Sequence, residues 1–88
     1  MTSQIRRAGI SITCNLAEGS SRITGKDQAR FTEIAYGSLL EVLNLLIAAV
    51  DLEYIRQHEL DNLRPLVEEI GNKLNRLRES QLRKGDSK

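Results

Sequence analysis

Across residues 31–52 the apolar side chains keep helical spacing and yet leave almost no polar side. Phe31, Ile34, Ala35, Ser38, Val42, Leu45, Ala49 and Leu52 form one row, and Leu39, Leu43, Leu46, Ile47 and Val50 cover much of the rest. A helix lying on the surface of a globular protein shows one apolar stripe and a polar back. A helix that is apolar nearly all round must be covered on several sides, so this segment demands a helical core. Thr24 with Asp27 three residues on resembles a capping box, with Asp in place of Glu, and predicts a helix over residues 26–55, roughly 40–45 Å long at 1.5 Å per residue. Gly37 and Ser38 fall in its interior, where the glycine costs roughly 1 kcal/mol of helix propensity, as expected if another helix packs closely there. The most apolar stretch, residues 39–52, contains Glu41, Asn44 and Asp51 and is shorter than the ~20 residues that cross a bilayer, so a buried helix and no membrane span is expected.

Two further helices flank it. Residues 3–17 carry Ile5, Ala8, Ile12 and Leu16 at helical spacing, widened by Ile10, Cys14 and Ala17. Thr2 or Ser3 is the expected cap, and the Gly19-Ser20-Ser21 run the expected end. Residues 59–82 repeat Leu60, Leu63, Val67, Ile70, Leu74 and Leu77 in alternating steps of three and four, the pattern of a coiled-coil seam. Pro65 removes a bond to the carbonyl of Asp61 and predicts a kink, or a start delayed to about Asn62. Residues 83–88 are expected to fray. Short connections make sequential helices antiparallel neighbours, so the expected fold is all-α: an up-down antiparallel helical bundle of three helices in one domain spanning residues 1–88. With 88 residues, such a domain buries only about 60–65% of the surface that its unfolded chain exposes, which leaves little stability to spare.

The formal net charge is +1, but it is unevenly spread. Residues 1–30 carry five Arg/Lys against two acids, residues 73–88 six against two, and residues 31–72 two against eight. With turns centred near Arg22 and Gln57, Arg7 faces residues 38–41, and Lys26 and Arg30 lie near Arg83 and Lys84. The expectation is a basic pole of Arg22, Lys26, Arg30, Arg83 and Lys84, with Asp51, Glu53, Glu59 and Asp61 at the opposite pole. A basic cluster is the candidate contact for an RNA or DNA backbone, although a charge cluster on a small helical protein is more often a solvated end. Two Tyr and one Phe leave almost nothing for base stacking.

Catalysis has few candidates. The chain has one His and one Cys, no Glu-x-x-His pair for a metal site in a bundle, and a Gly19 to Gly25 connector without the strand or Gly-Lys-Ser/Thr ending of a phosphate loop. Glu68 and Glu69 are adjacent and point to different faces, so they make no acid/base pair. No cofactor and no enzymatic activity are expected. Cys14 reads as a small core residue and His58 as a solvated turn residue; the absence of a secretory signal pattern makes the cytoplasm the expected compartment.

The residues also carry a resemblance. Gln4-Ile5-Arg6-Arg7-Ala8, Ser11-Ile12, Asn15-Leu16-Ala17-Glu18-Gly19, Arg30-Phe31 and Ala35-Tyr36-Gly37-Ser38-Leu39-Leu40-Glu41 resemble the signature of the bacterial four-helix bundle proteins called 23S rRNA intervening-sequence proteins. That family is similar in turn to the accessory proteins of diversity-generating retroelements, basic barrel-shaped homopentamers that associate with nucleic acid and a reverse transcriptase. The resemblance implies a helical bundle that forms a homo-oligomeric ring, a pentamer in that likeness, encoded in some bacteria within sequences inserted into ribosomal RNA genes. It also implies a further helix ahead of Met1-Thr2-Ser3-Gln4, absent here, so that this chain supplies three helices of a normal four and leaves apolar surface to be covered.

Each motif residue has a plain structural reading. Arg7 with Glu41 reads as an ion pair that sets helix registry. Asn15, Glu18 and Gly19 read as a corner at the end of the first helix. Gly37 and Ser38 read as a close helix approach. Two function classes follow: an oligomeric helical-bundle protein that contacts RNA or DNA backbone by charge and shape, or a protein interaction module that binds a partner helix or sister copies through the apolar faces of helices 1 and 2.

Overall fold

The computed structural model describes residues 2–86, as three helices: α1 (Thr2–Ser20), α2 (Gly25–Asp51) and α3 (Gln57–Asp86). Contacts run antiparallel from α1 to α2 and from α2 to α3, the up-down order expected of the bundle. Ser11 meets Ser38 near the middle of the first pair, while Ile5 shares a pocket with Leu46 at its end. In the second pair Thr32 meets Gln81, and Tyr36 lies against Gly71.

The helices lie in one layer. Among the described residues no Cα of α1 comes within 8 Å of a Cα of α3, and the Cα extents are 51 × 22 × 13 Å. Three helices side by side at about 8–10 Å spacing account for the 22 Å width. α2 is therefore covered on two flanks. The core is small: Ala35 and Leu39 of α2 and Leu74 of α3 are buried, with Ile12, Leu16, Tyr36 and Val67 packed against them. Taken whole, α2 is long and apolar enough to cross a membrane by length and composition alone, a property that the 39–52 stretch understated.

Helix ends depart from the expected bounds for local reasons. α1 starts at Thr2, which is therefore inside the helix rather than its cap, and runs through Gly19 to Ser20. Gly19 has no positive φ and does not turn the chain. It is buried because a Cβ there would stand 3.0 Å from the Cβ of Phe31 and 3.3 Å from the carbonyl oxygen of Gln28. Close helix contact, not a turn, requires the glycine. Thr24 caps α2 as expected, accepting from the Asp27 backbone N–H at 3.1 Å.

α2 stops at Asp51, four residues short of the expected Ile55. Glu53 adopts φ 63°, Tyr54 N–H donates to the Ala49 carbonyl at 2.8 Å and Glu53 N–H to that of Val50 at 3.0 Å. This is the Schellman ending, with Glu where glycine is usual. A left-handed non-glycine residue costs roughly 1–2 kcal/mol, so Glu53→Gly is expected to raise stability by about 0.5–1 kcal/mol after the entropy that glycine adds to the unfolded chain. Chemical denaturation of the two proteins checks this; a lower midpoint for the glycine variant would contradict it.

α3 begins at Gln57, ahead of the expected His58 or Glu59, and runs unbroken past Pro65. No delay to Asn62 occurs: the proline is exposed, on the solvent side, where water can serve the Asp61 carbonyl that lost its partner. The helix also continues through residues 83–86, which were expected to fray; Ser87 and Lys88 of that expected tail lie outside the described residues.

The expected seam on α3 divides in two. Leu60 and Leu74 are buried and Val67 half-buried against α2, whereas Leu63, Ile70 and Leu77 are exposed. Among the described residues α2 is the only helix in contact with α3, so α3 has one row covered and the other open. Cys14 is corrected for the same reason: α1 packs on one side only, and Cys14, expected in the core, is exposed.

Candidate functional site

The residues of the family signature meet along the α1–α2 contact. Ser11 and Ser38 share a hydrogen bond of 2.8 Å between their hydroxyls, and Asn15 Nδ2 donates to the Ser11 carbonyl at 2.7 Å and to its hydroxyl at 3.1 Å. Ser38 therefore marks a close approach of α1, as expected. Its neighbour Gly37 does not: it is exposed, and a Cβ built there meets nothing within 4 Å. The glycine that α3 approaches is Gly71, where a Cβ would lie 3.3 Å from Tyr36 Cε2 and 3.6 Å from Leu39 Cδ2. Sequence reasoning passed over Gly71, although a lone glycine inside a helical pattern was the available signal.

Arg7 and Glu41 do come together, lining one open pocket with Gln4, Ala8 and Ser11. Both are exposed, and among the described residues no ion pair joins them, so they do not set registry as expected. Two long side chains in full solvent gain little from pairing against the entropy of holding them. Asn15 braces the helix contact rather than a corner. Glu18 does hold the corner: Arg22 Nη2 donates to its carboxylate at 2.6 Å, and its carbonyl accepts from both the amide and the hydroxyl of Ser21.

The expected basic cluster assembles in part. Lys26 and Arg30 of α2 line one groove with Leu82 of α3, and Arg83 and Lys84 follow exposed on the last turns of α3. Lys26 and Arg30 make no ion pair among the described residues. Arg22 is occupied otherwise, since besides Glu18 it lies over the Phe31 ring at 4.8 Å, an arrangement in which the ring face attracts the guanidinium.

Acids share this end: Asp27 and Glu33 line the same groove, and Glu33 accepts from Arg78. At the other end Thr2 and Ile5 pack beside Leu46, Ala49, Tyr54 and Ile55. That places Arg6 and Arg7 toward the end expected to be acidic. The two poles are thus more mixed than the sequence blocks suggested, because α1 runs against α2 and brings its own charges back. The remaining lengthwise polarity sits on α3.

The pockets are shallow grooves between neighbouring helices. Among the described residues no three His, Cys, Asp or Glu side chains are placed to hold a metal ion. Large apolar side chains are exposed on all three helices, including Ile10, Ile34, Leu40, Leu66 and Ile70. No curated protein and no solved structure matches the chain. The family described as 23S rRNA-intervening sequence protein matches residues 1–76, and with most of the chain covered and the fold all-helical, the protein belongs to that family.

Proposed function

We propose that the chain is a non-enzymatic assembly module that associates with copies of itself through apolar helix surface, and that nucleic acid is contacted by charge on the resulting particle. The observation that carries the reading is the single-layer packing. α1 and α3 lie on separate flanks of α2 without their backbones meeting, so one layer buries only a small core and leaves large apolar side chains open on every helix. A monomeric soluble protein rarely exposes extended apolar patches, and a domain of this size has little stability to forgo by leaving them wet.

Nucleic-acid contact rests on Lys26 and Arg30, which line an open groove and make no ion pair among the described residues, and on Arg83 beyond it. Arg22 is better read as structural. Contact of this kind is backbone contact, steeply dependent on salt and indifferent to sequence.

Light scattering during size-exclusion chromatography, at low and high salt with the 260/280 nm absorbance ratio on the same peak, tests both parts. A defined oligomer whose nucleic acid is stripped by salt is the expected result, and a single-chain mass at both salts would refute the assembly reading. Reversing Lys26 and Arg30 to Glu is expected to remove the nucleic acid and leave the particle mass unchanged.

A further inference from the structure

Gly37 is the anomaly of α2. A glycine inside a helix costs roughly 1 kcal/mol against alanine, and within the chain nothing is gained for it, because the position is exposed and a Cβ there meets nothing within 4 Å. It belongs to a row. Ile34, Gly37, Glu41 and Asn44 follow one another in steps of three and four, and all are exposed, Ile34 by 45%. Such a row is a seam on which another helix can lie, and the glycine is a hole in it.

A matching row runs along α1. Ser3, Arg6, Ile10 and Thr13 are spaced in the same way and are all exposed, and Ile10, 53% exposed, is the one large apolar side chain among them. Both rows face away from the chain's own helix contacts. Ile10 and Gly37 each lie about 160° round their helix from a buried alanine, Ala8 and Ala35 respectively, so a helix seated on either row displaces nothing in the fold.

We infer that α1 of one copy docks antiparallel on the outer row of α2 in the next copy, head to tail. Ile10 fills the space over Gly37, Arg6 meets Glu41, Ser3 meets Asn44 and Thr13 meets Ile34. Charge sets the direction. Arg6 and Glu41 make no ion pair among the described residues, and the antiparallel alignment joins them. A parallel alignment about the same Ile10–Gly37 contact sets Thr13 against Glu41 and Arg6 against Glu33, whose carboxylate already accepts from Arg78. In the antiparallel contact Glu41 stands between Arg6 of the neighbouring copy and Arg7 of its own chain, with which it lines one pocket. Exclusion of water strengthens that attraction. The contact is centred between Gly37 and Glu41, so Lys26 and Arg30 lie beyond its end. Because the two surfaces differ, each assembly keeps one of each unfilled until a ring closes. The inference rests on the assembly reading and names the surfaces that it uses.

Sedimentation of the nuclease-treated chain and its variants tests it, with circular dichroism checking helix content. The parent is expected to give one defined mass above that of two chains. Gly37→Leu and Ile10→Glu are each expected to give single chains, the former with helix content and denaturation midpoint kept or raised, since leucine is the better helix former. Mixed, these two variants are expected to form a one-to-one pair, through the intact α1 row of the first and the intact α2 row of the second. Arg6→Glu and Glu41→Arg are each expected to loosen assembly about tenfold, and the double reversal to restore it. A parent that stops at two copies, an assembly indifferent to these changes, or a mixture that does not pair overturns this contact and leaves the assembly reading standing. A single-chain mass for the parent at every concentration overturns both.

Discussion

Leu39→Ala is expected to destabilise the fold by about 3 kcal/mol, lowering the thermal midpoint by roughly 10–20 °C for a domain of this length. Leu39 is 3% exposed and belongs to the core cluster in which residues of all three helices converge, Ile12 and Leu16 from α1 and Val67 and Leu74 from α3. Among the described residues nothing lies behind that cluster, because the three helices form one layer with no second tier to relax into the space. Thermal unfolding followed by helix circular dichroism, at one protein concentration for both chains, measures the effect. A shift of only a few degrees would mean that the two flanks of α2 do not depend on this cluster.

The second large effect is expected at Gly19. Replacing it with Val places a branched side chain where even a Cβ stands 3.0 Å from Phe31 Cβ and 3.3 Å from a backbone oxygen. The neighbour is the root of a side chain and a carbonyl, neither of which can swing away, so α1 and α2 must separate at that end. Overpacking of this kind costs about 1–3 kcal/mol, and separation would also disturb the Arg22 guanidinium over the Phe31 ring. The expected outcome is a loss of about 2–3 kcal/mol in chemical denaturation. The same change at Gly37, where the space is open, is the control that separates crowding from helix propensity. Equal losses at both positions would sink the crowding argument.

Much of the architecture was legible in local signals. The run of apolar residues in α2 identified a helix that needs neighbours on more than one side, and Thr24 with Asp27 marked its start to within one residue. Short connections made the order up-down. The family was legible because its signature is a set of residue types at fixed spacing, and spacing is what a sequence records directly. The ending of α2 was not legible, since Glu53 in a left-handed conformation has no signal in residue identity; the motif there is carried by backbone hydrogen bonds and normally announced by glycine.

Side-chain partnerships were the least legible. Arg7 and Glu41 share a pocket without pairing, while Arg78 and Glu33, which pair across α2 and α3, were not singled out. A pair separated by forty-five residues depends on helix registry to within one turn, and estimating that registry from turn centres carries about that much error. The same shift explains the basic cluster, in which Lys26 and Arg30 share a groove with α3 but Arg22 turns back to Glu18.

By itself, then, the sequence determined that this protein is three helices, in what order they pack and to which family it belongs, because periodicity, caps and motif spacing are local properties of the chain. Only the tertiary structure decided that the helices lie in one layer and that half of the α3 seam stays open. Periodicity tells how wide an apolar face is; how many neighbours cover it depends on where the other helices come to rest.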